Sequence, residues 1–287
     1  MTSRANMLIV DAQVHLWGAD TPVRPWPPGE AQRAQKPYPV TKEMALDGMK
    51  EAGVDRVVIV PPSWEGDRND LALEAARLHP DRFAVMGRLA LEKPASRALV
   101  DGWKRQPGML GMRFTFSTER QRPWLTDGTA DWLWATAERA GIPVMMSVAG
   151  SFAAVDRIAE RHPGLRLVID HLGIRSGSKG AEAFAGLPDL CTLARRGNIA
   201  VKASALPCYS TESYPFPGLH AHIRRVYDAF GSRRMFWGTD WTRLPCPWRQ
   251  AVTLFTEELP WLSGEDKEWI MGRAICEWLG WPPPRAT

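Results

Sequence analysis

Short apolar runs alternate along this chain with longer segments whose apolar residues recur three and four positions apart. The runs at 7–11 (continuing to His15), 54–60, 83–89, 109–114, 143–148, 165–170, 198–204 and 235–239 have the length and bulk of buried strands. The segments between Thr41 and Gly53, and at 67–79, 95–105, 129–140, 152–161, 183–196 and 219–230, predict helices, with 247–258 and 265–279 closing the chain. Their ends carry ordinary stop signals: Thr41 as a cap, Gly53 and Gly141 after a last turn, Pro80 and Pro163 where a helix cannot continue.

Strand followed by helix, about eight times over, implies parallel strands joined by crossover helices. Eight such units in roughly 250 residues match a closed (β/α)8 TIM barrel of the α/β class. The expectation is one domain over 1–287 with an extra C-terminal helix. A doubly wound open sheet is the alternative. Neither GxGxxG nor GxxxxGK[ST] follows the first strand, so nothing supports a nucleotide site there. The stretch from Thr21 to Pro39 holds six prolines, a density that prevents a regular helix or a central strand. A long loop directly after a strand ending in His15 is expected to be functional, as a lid or a subunit contact.

Composition narrows the picture only a little. The 287 residues carry a net charge of +4 without any block of Lys and Arg, which argues against a nucleic-acid partner and fits a small anionic substrate. The four cysteines are dispersed with no CxxC pair, against a disulfide framework and in keeping with a reducing cytoplasm. No stretch is apolar for long enough to cross a membrane. Fourteen tryptophans are unusual, and packing is the default reading for most of them.

In a barrel of this kind, chemistry sits at the carboxyl ends of the strands. Those ends present Asp11, Gln13 and His15 (placed on one face by alternation), Arg88, Arg113, Ser147, His171, Lys202 and Ser204, and finally Asp240 with Trp241 and Arg243. A carboxylate at the end of an apolar strand needs partners, because burying an unpaired charge is costly. Each residue also has a plainer reading. The histidines can be core groups, Arg113 a clamp on a carboxylate, and Arg88 and Lys202 neutralisers of interior acids.

Five stretches in this order, DAQVHLW, GMRF, DHLG, VKASAL and MFWGTDW, resemble the amidohydrolase superfamily, specifically its amidohydrolase-2 branch, which includes pyrone dicarboxylate lactonase and related barrel hydrolases. The resemblance spans nearly the whole chain. It implies that His15, His171 and Asp240 occupy catalytic positions. Two departures stand out: Gln13 replaces the first histidine of the usual HxH pair, and Ser147 stands where metal-dependent members often have histidine. His15, His171 and Asp240 still make three potential ligands for one divalent ion such as zinc; a metal-free site is slightly favoured, and a binuclear site is not expected.

The reading that follows is a cytoplasmic hydrolase of a lactone, or related cyclic ester or amide, bearing an anionic group. Asp240, tuned upward by partial burial, serves as general base, and His15 and His171 orient water or polarise the carbonyl. Arg113, with Gln13, Arg88, Lys202, Trp241 and Tyr209, binds substrate. The alternatives are a metal-dependent decarboxylase on the same scaffold and a noncatalytic partner subunit of an intact homologue. A homo-oligomer is expected.

Overall fold

Eight strands form one sheet in strict chain order, each paired in parallel with the next, in the computed structural model, which describes residues 7–283. The outermost residues of the domain expected over 1–287 lie outside the described residues. The strands are β1 (Val10–Val14), β2 (Arg56–Ile59), β3 (Phe83–Gly87), β4 (Met109–Thr115), β5 (Val144–Ser147), β6 (Leu167–Ile169), β7 (Ile199–Ser204) and β8 (Met235–Gly238). All eight predicted strands are present, most with one or both ends trimmed by one to three residues and β4 one residue longer than expected.

The seam between β8 and β1 closes largely through one side chain. The Asp11 carboxylate accepts from the backbone N–H of Thr239 (2.8 Å) and of Gln13 (2.9 Å), from the Thr239 hydroxyl, and from the indole N–H of Trp248 (3.0 Å). One residue on, the Asp240 N–H donates to the Gln13 carbonyl at 2.8 Å. Gly238 permits this approach, since a Cβ there would stand 3.2 Å from both the Ala12 nitrogen and the Asp11 carboxylate. The result is a nearly closed (β/α)8 barrel.

Side chains alternate between two apolar layers, as the period of a strand requires. Val58, Val60, Ala84, Met86, Met145, Val168, Ala200 and Phe236 fill the inside of the barrel. Their neighbours Val57, Ile59, Phe83, Val85, Val144, Leu167 and Ile199 pack against the helices. The inner layer is completed by the C-terminal helical run: a helix (Gly264–Glu268), a π turn (Trp269–Arg273) and a last helix (Ala274–Leu279), which contribute Trp269, Ile275 and Leu279. Gly272 lets this run press on the start of β1, since a Cβ there would fall 2.3 Å from the Leu8 carbonyl oxygen. The expected extra C-terminal helix is thus present.

Three expectations need correction. The segment expected as a helix at 95–105 is a 3-10 helix (Pro94–Arg105); its buried Val100 and Trp103 stand three apart, the spacing that three-residue turns stack. The helix expected at 183–196 breaks into two short helices (Gly180–Phe184 and Leu187–Thr192) and a 3-10 turn (Leu193–Arg195), because Pro188 suits the first turn of a helix but not its interior. Asp11 does not share a face with Gln13 and His15. The register with β2 slips between Asp11 and Val14, one extra residue on β1, so Asp11 turns to the seam while Gln13 stays inside. Among the described residues, no helix is long and apolar enough to cross a membrane.

Candidate active site

The chain leaves β5, β6, β7 and β8 through residues in the left-handed region: Ala149 (φ 39°), His171 (φ 52°), Ala205 (φ 57°) and Asp240 (φ 53°). Non-glycine residues pay for this conformation, and such strain gathers where side chains must be aimed. Here it turns the side chains of His171 and Asp240 toward each other at the barrel mouth.

Asp240 is 1% exposed and is approached from four directions. His15 Nε2 lies 3.3 Å from Oδ1, and Gln35 Nε2 donates to the same oxygen at 3.1 Å. Arg243 Nη1 donates to Oδ2 at 3.1 Å, and His171 Nε2 faces Oδ2 at 3.8 Å. Burial alone would raise this carboxyl, but His15, Arg243 and His171 together outweigh it and hold the group at about 2. The expectation of upward tuning is therefore reversed: Asp240 is a fixed anion. Burial depresses both imidazoles against the pull of Asp240, His171 to about 4, so each is neutral at pH 7.

Beneath His15 runs a chain of donors that fixes its tautomer. Lys202 Nζ donates to Gln13 Oε1 (2.7 Å), which turns the Gln13 amide nitrogen toward His15 Nε2 (3.4 Å). The other ring nitrogen, Nδ1, meets the Val60 carbonyl, which can only accept, so the ring proton of neutral His15 belongs on Nδ1. His171 Nδ1 lies 2.8 Å from the Ser204 hydroxyl. The arrangement that gives each acceptor a donor has Ser204 donating and the His171 ring proton on Nε2, facing Asp240. Lys202 also pairs with Asp170 (2.9 Å), which Arg113 clamps from the other side (2.9 Å). Burial opposes the charge on Asp170, yet Lys202 and Arg113 hold its carboxyl below the usual range.

Above these groups opens a cavity of about 460 Å³. His15, His171, Asp240, Arg113 and Tyr209 line it, as does Ser147. Gln13 and Lys202, expected to bind substrate, are not among its lining residues; both are fully buried and engaged with each other. Arg88 opens instead onto a separate outer groove and reaches only Thr115 Oγ1 (3.4 Å) at the cavity wall, an oxygen it shares with Arg113 (2.7 Å). Trp241 lies on a different groove, stacked on Trp248 at 4.9 Å.

The lining residues that a reading of strand ends does not reach include Arg33, Gln35 and Arg175. Arg33 and Gln35 belong to the proline-rich loop, where their irregular surroundings give no periodic signal. Arg175 follows the DHLG stretch by two residues, and reading on past that motif would have reached it.

The residues present do not fit a divalent ion as they stand. Both Asp240 oxygens already accept from N–H donors, Gln35 on Oδ1 and Arg243 on Oδ2, and the Gln13 amide nitrogen faces His15 Nε2, where a cation requires free lone pairs. Among the described residues, no three His, Cys, Asp or Glu side chains are spaced to hold a metal ion as they stand.

Comparison with known proteins agrees with the fold. L-Fucono-1,5-lactonase from Burkholderia ambifaria is 29% identical over 251 residues, 81% of this chain and 79% of that protein. An amidohydrolase from Burkholderia multivorans, solved with bound zinc, superposes with a TM-score of 0.80 at 19% identity, over 96% of this chain and all of the other. A probable 2-pyrone-4,6-dicarboxylic acid hydrolase from Acinetobacter baumannii, solved with citric acid, gives 0.73 at 15% identity over 96% of this chain and all of its own. The amidohydrolase profile matches residues 10–280. From β1 to the C-terminal helix, then, this chain belongs to the amidohydrolase family of hydrolases.

Proposed function

We propose that this protein hydrolyses a lactone, or a related cyclic ester or amide, that bears an anionic group. The observation that carries the reading is the state of Asp240: an ionised carboxylate at the floor of the cavity, flanked by two neutral imidazoles, with Oδ1 bonded by Gln35 and Oδ2 bonded by Arg243 while facing His171 across 3.8 Å. A water bonded to Oδ2 attacks the carbonyl carbon and gives its proton to that oxygen. The His171 Nε2–H stabilises the oxyanion that forms. As the tetrahedral adduct collapses, the ring C–O or C–N bond breaks and the departing oxygen or nitrogen takes the proton back from Asp240, leaving the open-chain acid.

At about 2, Asp240 is ionised but a weak base. An anionic substrate lying against Arg243 competes for that guanidinium and lets the Asp240 carboxyl rise toward a useful value. The positive groups facing the cavity, Arg113, Arg175 and Arg33, support the anionic part of the substrate, since guanidinium binds carboxylate through two parallel hydrogen bonds. The name of the lactonase relative supports the lactone part.

The test is acid release from a panel of lactones with and without a carboxylate, with carbon dioxide followed in parallel. Carboxylated lactones are expected to react at least ~10-fold faster in kcat/KM than neutral analogues, in line with a charged hydrogen-bonded contact. Carbon dioxide from an aromatic acid with no lactone opened would replace this reading by decarboxylation.

A further inference from the structure

The loop between β1 and α1 (Lys42–Ala52) is stapled at its base and nearly untethered at its tip. At the base, Trp17 and Val40 exchange backbone hydrogen bonds at 3.0 Å. Arg24 bonds to Glu65 (2.8 Å) and Asp70 (3.0 Å), and Glu65 also accepts from the Gly18 N–H (2.9 Å). From residue 27 to residue 39 the picture changes. The remaining bonds stay within the tip, from Glu30 to Pro27, from Arg33 to Glu30 and from Ala34 to Ala31. Among the described residues, the only hydrogen bonds from this segment to the rest of the protein belong to Gln35.

Both of those bonds converge on the site. Gln35 Nε2 donates to Asp240 Oδ1 at 3.1 Å, and Gln35 Oε1 accepts from the Thr242 hydroxyl. The orientation of the amide follows from charge: its oxygen would repel the Asp240 carboxylate, and its nitrogen does not. His15, His171 and Arg243 reach Asp240 from strand ends and the turn after β8, positions fixed by the barrel. Gln35 alone reaches it from an irregular loop, and Arg33, two residues earlier, faces the same cavity.

We propose that Gln35 is a positioning residue that latches the loop tip to Asp240: it holds Oδ1 away from the reaction, leaves Oδ2, which shares Arg243 with an anionic substrate, as the base, and keeps Arg33 over the cavity. This rests on the hydrolase reading for what Oδ2 does, but the latch itself does not. Opening the latch frees the tip and lets the carboxylate rotate, so loop release and loss of turnover arise from one change.

The tip carries its own reporter. Arg33–Ala34 is a bond trypsin can cut once the segment is free, whereas Lys36 precedes proline and resists. Limited trypsinolysis with the cut mapped by mass spectrometry is done on wild type, Gln35→Ala, Gln35→Glu and Asp240→Ala, each checked for wild-type circular dichroism. Cleavage at Arg33–Ala34 is expected to speed up about 10-fold or more in all three variants, as loss of one charged hydrogen bond allows. Gln35→Glu, which sets two carboxylates together, should be at least as open as Gln35→Ala. On a lactone that wild type hydrolyses, Gln35→Ala should lower kcat by about 10-fold with a smaller change in KM. Wild-type cleavage rates in Gln35→Ala and Asp240→Ala overturn the latch whatever the substrate is. Faster cleavage in a protein that opens no lactone leaves the latch standing and removes the hydrolase reading instead. Faster cleavage with unchanged kcat on a working substrate overturns the positioning role.

Discussion

Two fully buried carboxylates sit at the closing seam of this barrel, one residue layer apart, and they are held in opposite ways. Asp11 receives four neutral donors and no cation, and burial pushes its carboxyl up to about 7 against them. Asp240 receives a guanidinium and an amide, faces two imidazoles, and is held at about 2 despite equal burial. Depth in the protein does not decide the charge of an acid; the charge of its donors does. Asp11 is wired for closure, since either protonation state satisfies it: protonated, it can donate back to the Thr239 hydroxyl. Asp240 is wired to stay ionised beside a cavity. The same residue type, at ends of adjacent strands, thus separates into a fastener and a candidate base.

The sharpest way to break this contrast is to neutralise each acid in turn. Asp240→Asn keeps the shape and removes the proton acceptor, so kcat on a lactone substrate should fall by about 10³-fold, the range general bases contribute. Its melting temperature should move less than that of Asp11→Ala. Retained turnover in Asp240→Asn would transfer the base role elsewhere.

Asp11→Ala strands the N–H groups of Thr239, Gln13 and Trp248 in a dry seam. At 1–3 kcal/mol for each unsatisfied group, partly relieved by relaxation, a loss of about 3 kcal/mol is expected from denaturant unfolding. The two acids also give pH slopes of opposite sign. A carboxyl raised in the folded state favours folding most below its unfolded value near 3.8, and that contribution is lost as pH climbs toward about 7. A carboxyl depressed in the folded state contributes above 3.8, and that contribution is lost as pH falls through about 2. Stability of wild type relative to Asp11→Asn should therefore decline from pH 4 to pH 7 and stay level above. A flat difference across that interval would put Asp11 with the ionised acids.

A smaller effect separates His171 from His15. Ser204 holds the His171 tautomer through a single hydrogen bond, so Ser204→Ala should cost about 3- to 10-fold in kcat, one neutral hydrogen bond, with KM little changed. His15, fixed by the Val60 carbonyl and the Gln13 amide, has no such single point of failure.

Much of this was legible in the chain. Eight apolar runs at regular spacing gave the barrel because burial in a parallel sheet selects for them, and reading strand ends brought His15, His171 and Asp240 together. What failed to show was of two kinds. The bulge in β1 separates Asp11 from Gln13, and a one-residue register slip leaves no mark in an alternating pattern. Gln35 reaches the site over 205 residues from a loop without period, so only its region could be flagged. The sign of the Asp240 shift is hidden for a related reason: burial is visible in the strand pattern, while the convergence of Arg243, His15 and His171 is a property of the folded mouth.

Trp241 offers the smallest and cleanest test, because its neighbour in sequence is the proposed base and its side chain is elsewhere. The left-handed turn at Asp240 sends that carboxylate into the cavity and the next side chain outward, into a groove of about 380 Å³ shared with Tyr38, Met44 and Trp248. Its indole nitrogen is buried without a partner, so phenylalanine forfeits no hydrogen bond there. What remains is the stack on Trp248, a packing contribution of about 1 kcal/mol. Trp241→Phe should therefore change kcat/KM by less than about 2-fold, within the range expected for substitutions away from a site, while lowering the melting temperature slightly. A 10-fold fall in kcat/KM with the melting temperature intact would mean that the outer groove and the cavity act as one site, and that the division of labour between the two faces of this turn is wrong.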